Sequence, residues 1–226
     1  MITVDDLKSA NVPLFAELSA DDLNGMTLDI QEKSFAPWEI LFNQQDTSND
    51  VYILLEGKLL ALYWTEAGRE IIFTRFSEGD LFGEMAALDG GERSLAIVAR
   101  SDVRVLVMPQ ATFLELFNKV PAIRTYVVRS LVDRVRQLTA KNLELTTFSV
   151  GQRVASFLIS MALERDVLEK GGVINDAPTH AEIAASIGAN REMVSRAVTQ
   201  LVKKKAIRSA RQRIELVDPD ILSDVL

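Results

Sequence analysis

Apolar residues along the first half of the chain come in short runs separated by turn-formers. Val51-Tyr-Ile-Leu-Leu, Lys58-Leu-Leu-Ala-Leu-Tyr, Ile71-Ile-Phe, Ala96-Ile-Val-Ala and Val103-Arg-Val-Leu-Val are rich in β-branched and aromatic residues, and Glu56-Gly57, Ala67-Gly68, Glu78-Gly79-Asp80 and Asp89-Gly90-Gly91 punctuate them. Turn signals at roughly 8–12 residue intervals between such runs predict an all-β barrel or jelly roll from Thr27 to about Met108. Ahead of it, residues 13–26 read as one or two short helices, with Ser19 as an N-cap before Asp21 and Asp22.

Beyond Pro109 the period becomes helical, with a short segment over 110–118, a long one over 121–147 and, after Phe148-Ser-Val-Gly151, another over 152–164. The long segment carries Val128, Leu131, Val135, Leu138, Asn142 and Leu145 at spacings of 3, 4, 3, 4 and 3, the seam of a short coiled coil. Valine and one asparagine at a, with leucine at d, favour two parallel strands in fixed register. The alternative is a stripe that packs on its own domain. A buried Asn142 favours the dimer, because only a symmetry mate would satisfy its amide.

Thr179-His-Ala-Glu182 is a capping box, so a helix is predicted to start there and run through Ile183, Ala184 and Ile187 to a break at Gly188. Asn190 is placed to cap a second helix with Val194, Ala197, Val198 and Leu201 inward, and a short glycine-containing connection between two helices is a helix-turn-helix signature. The opposite face carries Arg191, Glu192, Ser195 and Arg196 in the first turns, the part of a recognition helix that reaches base edges. Arginine bonds guanine O6 and N7, and glutamate accepts from cytosine N4. Lys203-Lys-Lys205 and a predicted hairpin over 207–216 bearing Arg208, Arg211 and Arg213 read as a wing suited to phosphates, against the alternative of a solvated charged face. Thr179 and His180 suit a phosphate contact at the helix start, with solvation the other reading for His180.

Composition sharpens this picture. The 226 residues have a net charge of −7, yet residues 1–149 hold 14 basic against 22 acidic side chains while residues 177–213 hold 8 against 2, an acidic module carrying a basic one. With no cysteine and only His180, disulfides, thiolate chemistry, iron–sulfur clusters and histidine-rich metal sites are excluded. A jelly roll without histidine is not expected to be a metal-dependent enzyme. No run reaches the ~20 apolar residues of a membrane span, and residues 1–10 do not read as a secretory leader, so a cytoplasmic protein without a membrane partner is expected.

Between two strand-like runs lies Gly79-Asp-Leu-Phe-Gly83-Glu84-Met85-Ala-Ala-Leu-Asp-Gly-Gly-Glu-Arg93-Ser94-Leu-Ala. Gly83 permits a tight backbone, the amides opening the turn at Glu84 and Met85 can face an anion, Arg93 can clamp a phosphodiester in a partly desolvated pocket, and Ser94 adds a hydroxyl. Glu84 beside a phosphate makes sense if it accepts from a ribose hydroxyl. The segment resembles the phosphate-binding cassette of cyclic-nucleotide-binding domains, and nearly the whole chain resembles the catabolite activator and fumarate–nitrate regulator family.

That resemblance implies an α+β chain. It comprises an N-terminal β-roll cyclic-nucleotide-binding domain over 1–120, a dimerisation helix over 121–148 and a C-terminal winged helix-turn-helix over 149–226. It implies that Glu84 binds ribose, that Arg93 and Ser94 bind the cyclic phosphate, and that Arg191, Glu192 and Arg196 read bases in a palindrome with half-sites similar to TGTGA. Ser195 is more like the other branch of the family. A homodimer, duplex DNA and RNA polymerase are the implied partners. Leu138-Thr139 falls where the catabolite-activator branch has a Thr-Ser pair on adenine. Cyclic AMP is therefore the expected effector, while one missing hydroxyl leaves cyclic GMP, another cyclic nucleotide, a non-nucleotide effector or a vestigial pocket open. Haem and iron–sulfur sensing are not expected.

Overall fold

The computed structural model describes residues 12–16, 22, 26, 28–68 and 70–226. The chain divides into two compact units, Met1–Arg134 and Val135–Leu226.

In the first unit eight strands, β1 (Gln31–Phe35), β2 (Ile40–Phe42), β3 (Val51–Glu56), β4 (Leu59–Trp64), β5 (Glu70–Phe76), β6 (Leu81–Phe82), β7 (Ala96–Ala99) and β8 (Val103–Met108), form two sheets ordered β1-β8-β3-β6 and β2-β7-β4-β5. Every pairing is antiparallel. Central strands β3 and β8 are apolar on both faces because both faces are covered. Leu54, Val103, Val105 and Val107 enter the core between the sheets. Val51, Ile53, Leu106 and Met108 enter a second core beneath helices α2 (Gln110–Lys119) and α3 (Pro121–Thr147), which contribute Phe113, Leu116, Ile123 and Val127. The short helix α1 (Glu84–Asp89) lies between β6 and β7 in sequence.

The predicted jelly roll and both helices are therefore present. Strand β1 carries little apolar signal: Gln31 to Ser34 are all exposed, only Phe35 packs on the core, and the segment is a strand because its backbone pairs with β8. Of the helices expected over 13–26, a 3₁₀ turn at Pro13–Phe15 is observed. Ser19 lies outside the described residues.

The second unit contains the last turns of α3 with α4 (Val150–Glu164), α5 (His180–Ile187), α6 (Arg191–Lys203) and α7 (Pro219–Ser223), and a sheet ordered β10-β11-β9 from β9 (Val173–Asn175), β10 (Ile207–Ala210) and β11 (Arg213–Leu216). Helix α4 starts earlier than expected because Ser149 and Gln152 form a reciprocal capping box. Val154, Leu158, Ile183, Val194, Val198, Leu201, Ile214 and Leu216 share one core. The expected hairpin is β10–β11, and the third strand β9 was not legible in the sequence. Among the described residues no helix is long and apolar enough to cross a membrane.

Candidate functional site

The loop entering α1 brings the cassette residues of the first unit together. Gly83 is the N-cap of α1 with φ +83°, and a Cβ there would stand 2.7 Å from Arg93 Nη1 and 2.9 Å from the Asp50 carbonyl. Only glycine tolerates both the left-handed backbone and that approach. Arg93 is 3% exposed, more enclosed than the partly desolvated pocket expected. Its Nε donates to Ser48 Oγ at 3.2 Å, Nη1 to the Gly83 carbonyl at 2.9 Å and Nη2 to the Asp50 carbonyl at 2.6 Å. The guanidinium lies 4.2 Å from the Phe42 ring centroid and 5.8 Å from that of Tyr52. Its backbone is clipped by the same loop, Arg93 N to the Asp46 carbonyl and Gln45 N to the Arg93 carbonyl. Of five N–H groups, one on each terminal nitrogen is left over from these bonds. Burial lowers the guanidinium from its ordinary value, opposed by Tyr52, Asp50, Asp46 and Glu84. It remains a cation at neutral pH.

Glu84, the first residue of α1, is 2% exposed. Its Oε1 accepts from Arg134 Nη1 at 2.9 Å, and its Oε2 is buried without a partner among the described residues. Burial raises its carboxyl above the ordinary range, with Arg134 and Arg93 pulling the other way. An orphaned buried acceptor next to a cation is costly in a closed protein and useful where a hydroxyl docks. Met85 and Ser94 are exposed at either end of the cassette. Arg134 was missed by sequence reasoning. Its separation from Glu84 by fifty positions hides the pair, and the available clue was its place one turn before Leu138 on α3.

Along α3 the expected seam splits. Leu131 is half-buried against the core of its own unit. Val128, Val135, Leu138, Asn142 and Leu145 are exposed, Val135 by 62%, and exposed Val132 borders the apolar stripe. Thr139 is exposed, and its hydroxyl donates to the Val135 carbonyl within α3.

In the second unit the capping box of α5 is formed, Thr179 Oγ1 accepting from Glu182 N at 3.2 Å. His180 is half-buried at the first position of that helix. Gly188 ends α5 with φ +63°. Arg153 Nη1 donates to the Ile187 carbonyl at 2.6 Å, satisfying a carbonyl at the helix end. Asn190 occupies the N-cap position of α6, but its side chain makes no capping bond, contrary to expectation. Its backbone carbonyl alone starts the helix, accepting from Val194 N at 3.1 Å.

Helix α6 buries Val194, Ala197, Val198 and Leu201 and turns Arg191, Glu192, Ser195, Arg196, Thr199, Gln200 and Lys203 to one concave outer face. Arg211 and Gln212 form the hairpin turn, and Arg213 opens β11, both arginines exposed. Arg208 is exposed as expected, and it also pairs with its cross-strand neighbour Glu215 at 2.9 Å. A cleft of about 300 Å³ between the wing and the start of α5 is lined by Thr179, His180, Ser209 and Arg211 among others.

Residues 32–120 match the model of the cyclic nucleotide-binding domain, and residues 152–225 match that of the Crp-like helix-turn-helix domain. Among known proteins, the chain is 27% identical over 214 residues to the cyclic AMP receptor protein of Thermus thermophilus, covering 94% of this chain and 96% of that one. It is 27% identical over 207 residues to the global nitrogen regulator of Synechococcus elongatus, covering 89% and 92%. Among solved structures, a CRP/FNR family transcriptional regulator of Thermus thermophilus superimposes with a TM-score of 0.68 at 26% identity, covering 86% of this chain and 97% of that one.

Proposed function

The chain belongs to the catabolite activator and fumarate–nitrate regulator (Crp/Fnr) family of DNA-binding transcription regulators, and from that premise we propose that it is a cytoplasmic homodimer whose binding to a palindromic operator is controlled by a cyclic nucleotide, cyclic AMP foremost. The observation that carries the effector reading is the orphaned, buried Oε2 of Glu84 in the same cassette as the Arg93 guanidinium. A ribose hydroxyl would satisfy the carboxylate, and a cyclic phosphate would take the remaining N–H groups of Arg93 and the hydroxyl of Ser94. Gly83 and Met85 would frame the phosphate, and Leu138 and Thr139 the purine. The domains in this reading are 1–120 for the effector, 121–148 for pairing and 149–226 for DNA.

The exposed α3 stripe supports pairing of two copies through Val128, Val135, Leu138, Asn142 and Leu145. Paired α6 helices read half-sites about 34 Å apart, the spacing of successive major grooves. Effector and operator affinities are then linked reciprocally by about 1–3 kcal/mol. Thr179, His180, Lys203, Arg208, Arg211 and Arg213 supply phosphate contacts, and RNA polymerase is the further partner. Titration calorimetry of cyclic AMP and cyclic GMP, with and without operator, tests the reading. Saturable binding that tightens on the operator supports it, and heat with neither nucleotide together with effector-independent DNA binding overturns it. The latter is the outcome expected of a vestigial pocket or a non-nucleotide effector, a second reading favoured by the three inward bonds of Arg93.

Arg191→Ala relaxes base preference at one position of each half-site, at a cost of about 1–3 kcal/mol, in binding to a randomised duplex library. Loss of affinity uniform across sequences would mark Arg191 as a phosphate contact instead.

Because burial raises the Glu84 carboxyl above its ordinary value of 4.5, the folded chain holds this proton to higher pH than the unfolded one. Its contribution to stability is present below pH 4.5 and is lost as pH rises through the folded value. Nucleotide affinity runs the other way, since a hydroxyl donor favours the carboxylate. Thermal unfolding and calorimetry across this window should show both trends in the native protein and neither in Glu84→Gln.

A further inference from the structure

Two apolar side chains of α6 are exposed, Val202 near its C-terminus and Met193 near its N-terminus, the end of a recognition helix that reaches base edges. The Met193 side chain is 43% exposed in the first turn of the helix, whereas Val194, Ala197, Val198 and Leu201 are enclosed in the core. At about 100° per residue it stands about 60° from Arg196 and about 20° from Gln200, on the flank where the reading face meets the core. It is not among the buried residues of α6, which are Val194, Ala197, Val198 and Leu201. A thioether also cannot donate to a phosphate oxygen.

We propose that Met193 is a specificity residue that reads the C5 methyl of a thymine in each half-site. The C5 methyl of thymine is the one alkyl group on the base edges of the major groove, where recognition otherwise runs through donors and acceptors. The methyl lies on the side of the base nearest its own backbone, so it meets the flank of an inserted helix rather than the centre, which suits a residue beside Arg196 rather than beside Glu192. Methionine's unbranched, polarisable side chain fits such a shallow apolar target. The inference rests on α6 reading DNA and goes beyond the assignment of Arg191, Glu192, Ser195 and Arg196.

The test uses the full-length protein and an operator recovered from a randomised duplex library, with each thymine replaced in turn by uracil, which removes only the methyl. Native protein should lose about fourfold in affinity at one thymine per half-site, corresponding to the ~0.8 kcal/mol of one buried methyl-sized group. Met193→Ala should bind the thymine and uracil duplexes equally at that position and discriminate normally elsewhere. The proposal is overturned if native affinity is unchanged by uracil at every position. It is equally overturned if Met193→Ala keeps the native discrimination, or if the variant weakens all duplexes alike. Failure of the native protein to select any sequence would overturn the DNA-reading assignment itself, and is seen in the library step before uracil is introduced.

Discussion

Alanine at position 93 is expected to weaken cyclic-nucleotide binding by at least about 100-fold, and with it to remove the proposed nucleotide dependence of operator binding. Arg93 supplies the only guanidinium that meets the cassette backbone at Gly83 among the described residues, and two charge-assisted hydrogen bonds to a phosphate contribute about 1.5–3 kcal/mol each. The same change leaves the Gly83 and Asp50 carbonyls without their donor in a site where Arg93 is 3% exposed. Each unmet carbonyl costs about 1–3 kcal/mol, so Arg93→Ala should also lower the unfolding midpoint by several degrees. Arg93→Lys separates the two effects: it keeps the charge but loses the planar fork, so folding should recover further than affinity. Calorimetry and thermal unfolding on both variants check this. Nucleotide-dependent operator binding that survives in Arg93→Ala would mean that the effector acts elsewhere.

The second large effect is expected at the α3 stripe. Val128→Glu combined with Val135→Glu places a carboxylate at both early a positions, residues that are 47% and 62% exposed in the single chain. Folding of each unit should therefore be unaffected, while two like charges facing their symmetry mates across a closed seam are strongly unfavourable. Sedimentation should show a monomer. Operator affinity should fall by about 10²–10⁴-fold, the avidity lost when two half-sites are no longer engaged together. An unchanged dimer would move the pairing surface off this stripe. Leu131 is a poorer probe, because it also packs on the core of its own unit.

The places where sequence reasoning fell short share a cause. Strand β1 is polar and exposed up to Phe35, and becomes a strand by pairing with β8 across some seventy positions. Asn190 has the residue type of a helix cap, yet its side chain does not make the bond, because position and backbone suffice to start α6. Arg134 belongs to the cassette through an ion pair with a residue in another element. The ion pair of Arg208 with Glu215 exists because the register of β10 on β11 sets the two opposite each other.

What the sequence determined by itself was local: the two-residue and 3.6-residue periods of strands and helices, the capping box at Thr179, the glycine that ends α5, and the order of acidic roll, long helix and basic tip. These follow from interactions within a few residues, which a linear pattern records. The tertiary structure alone decided which acceptors hold Arg93, that Glu84 keeps one oxygen unpaired, that Leu131 serves its own core while Val135 stays exposed, and that Met193 is left 43% exposed. Burial and pairing depend on which distant segments come to cover a residue, and no spacing along the chain encodes that.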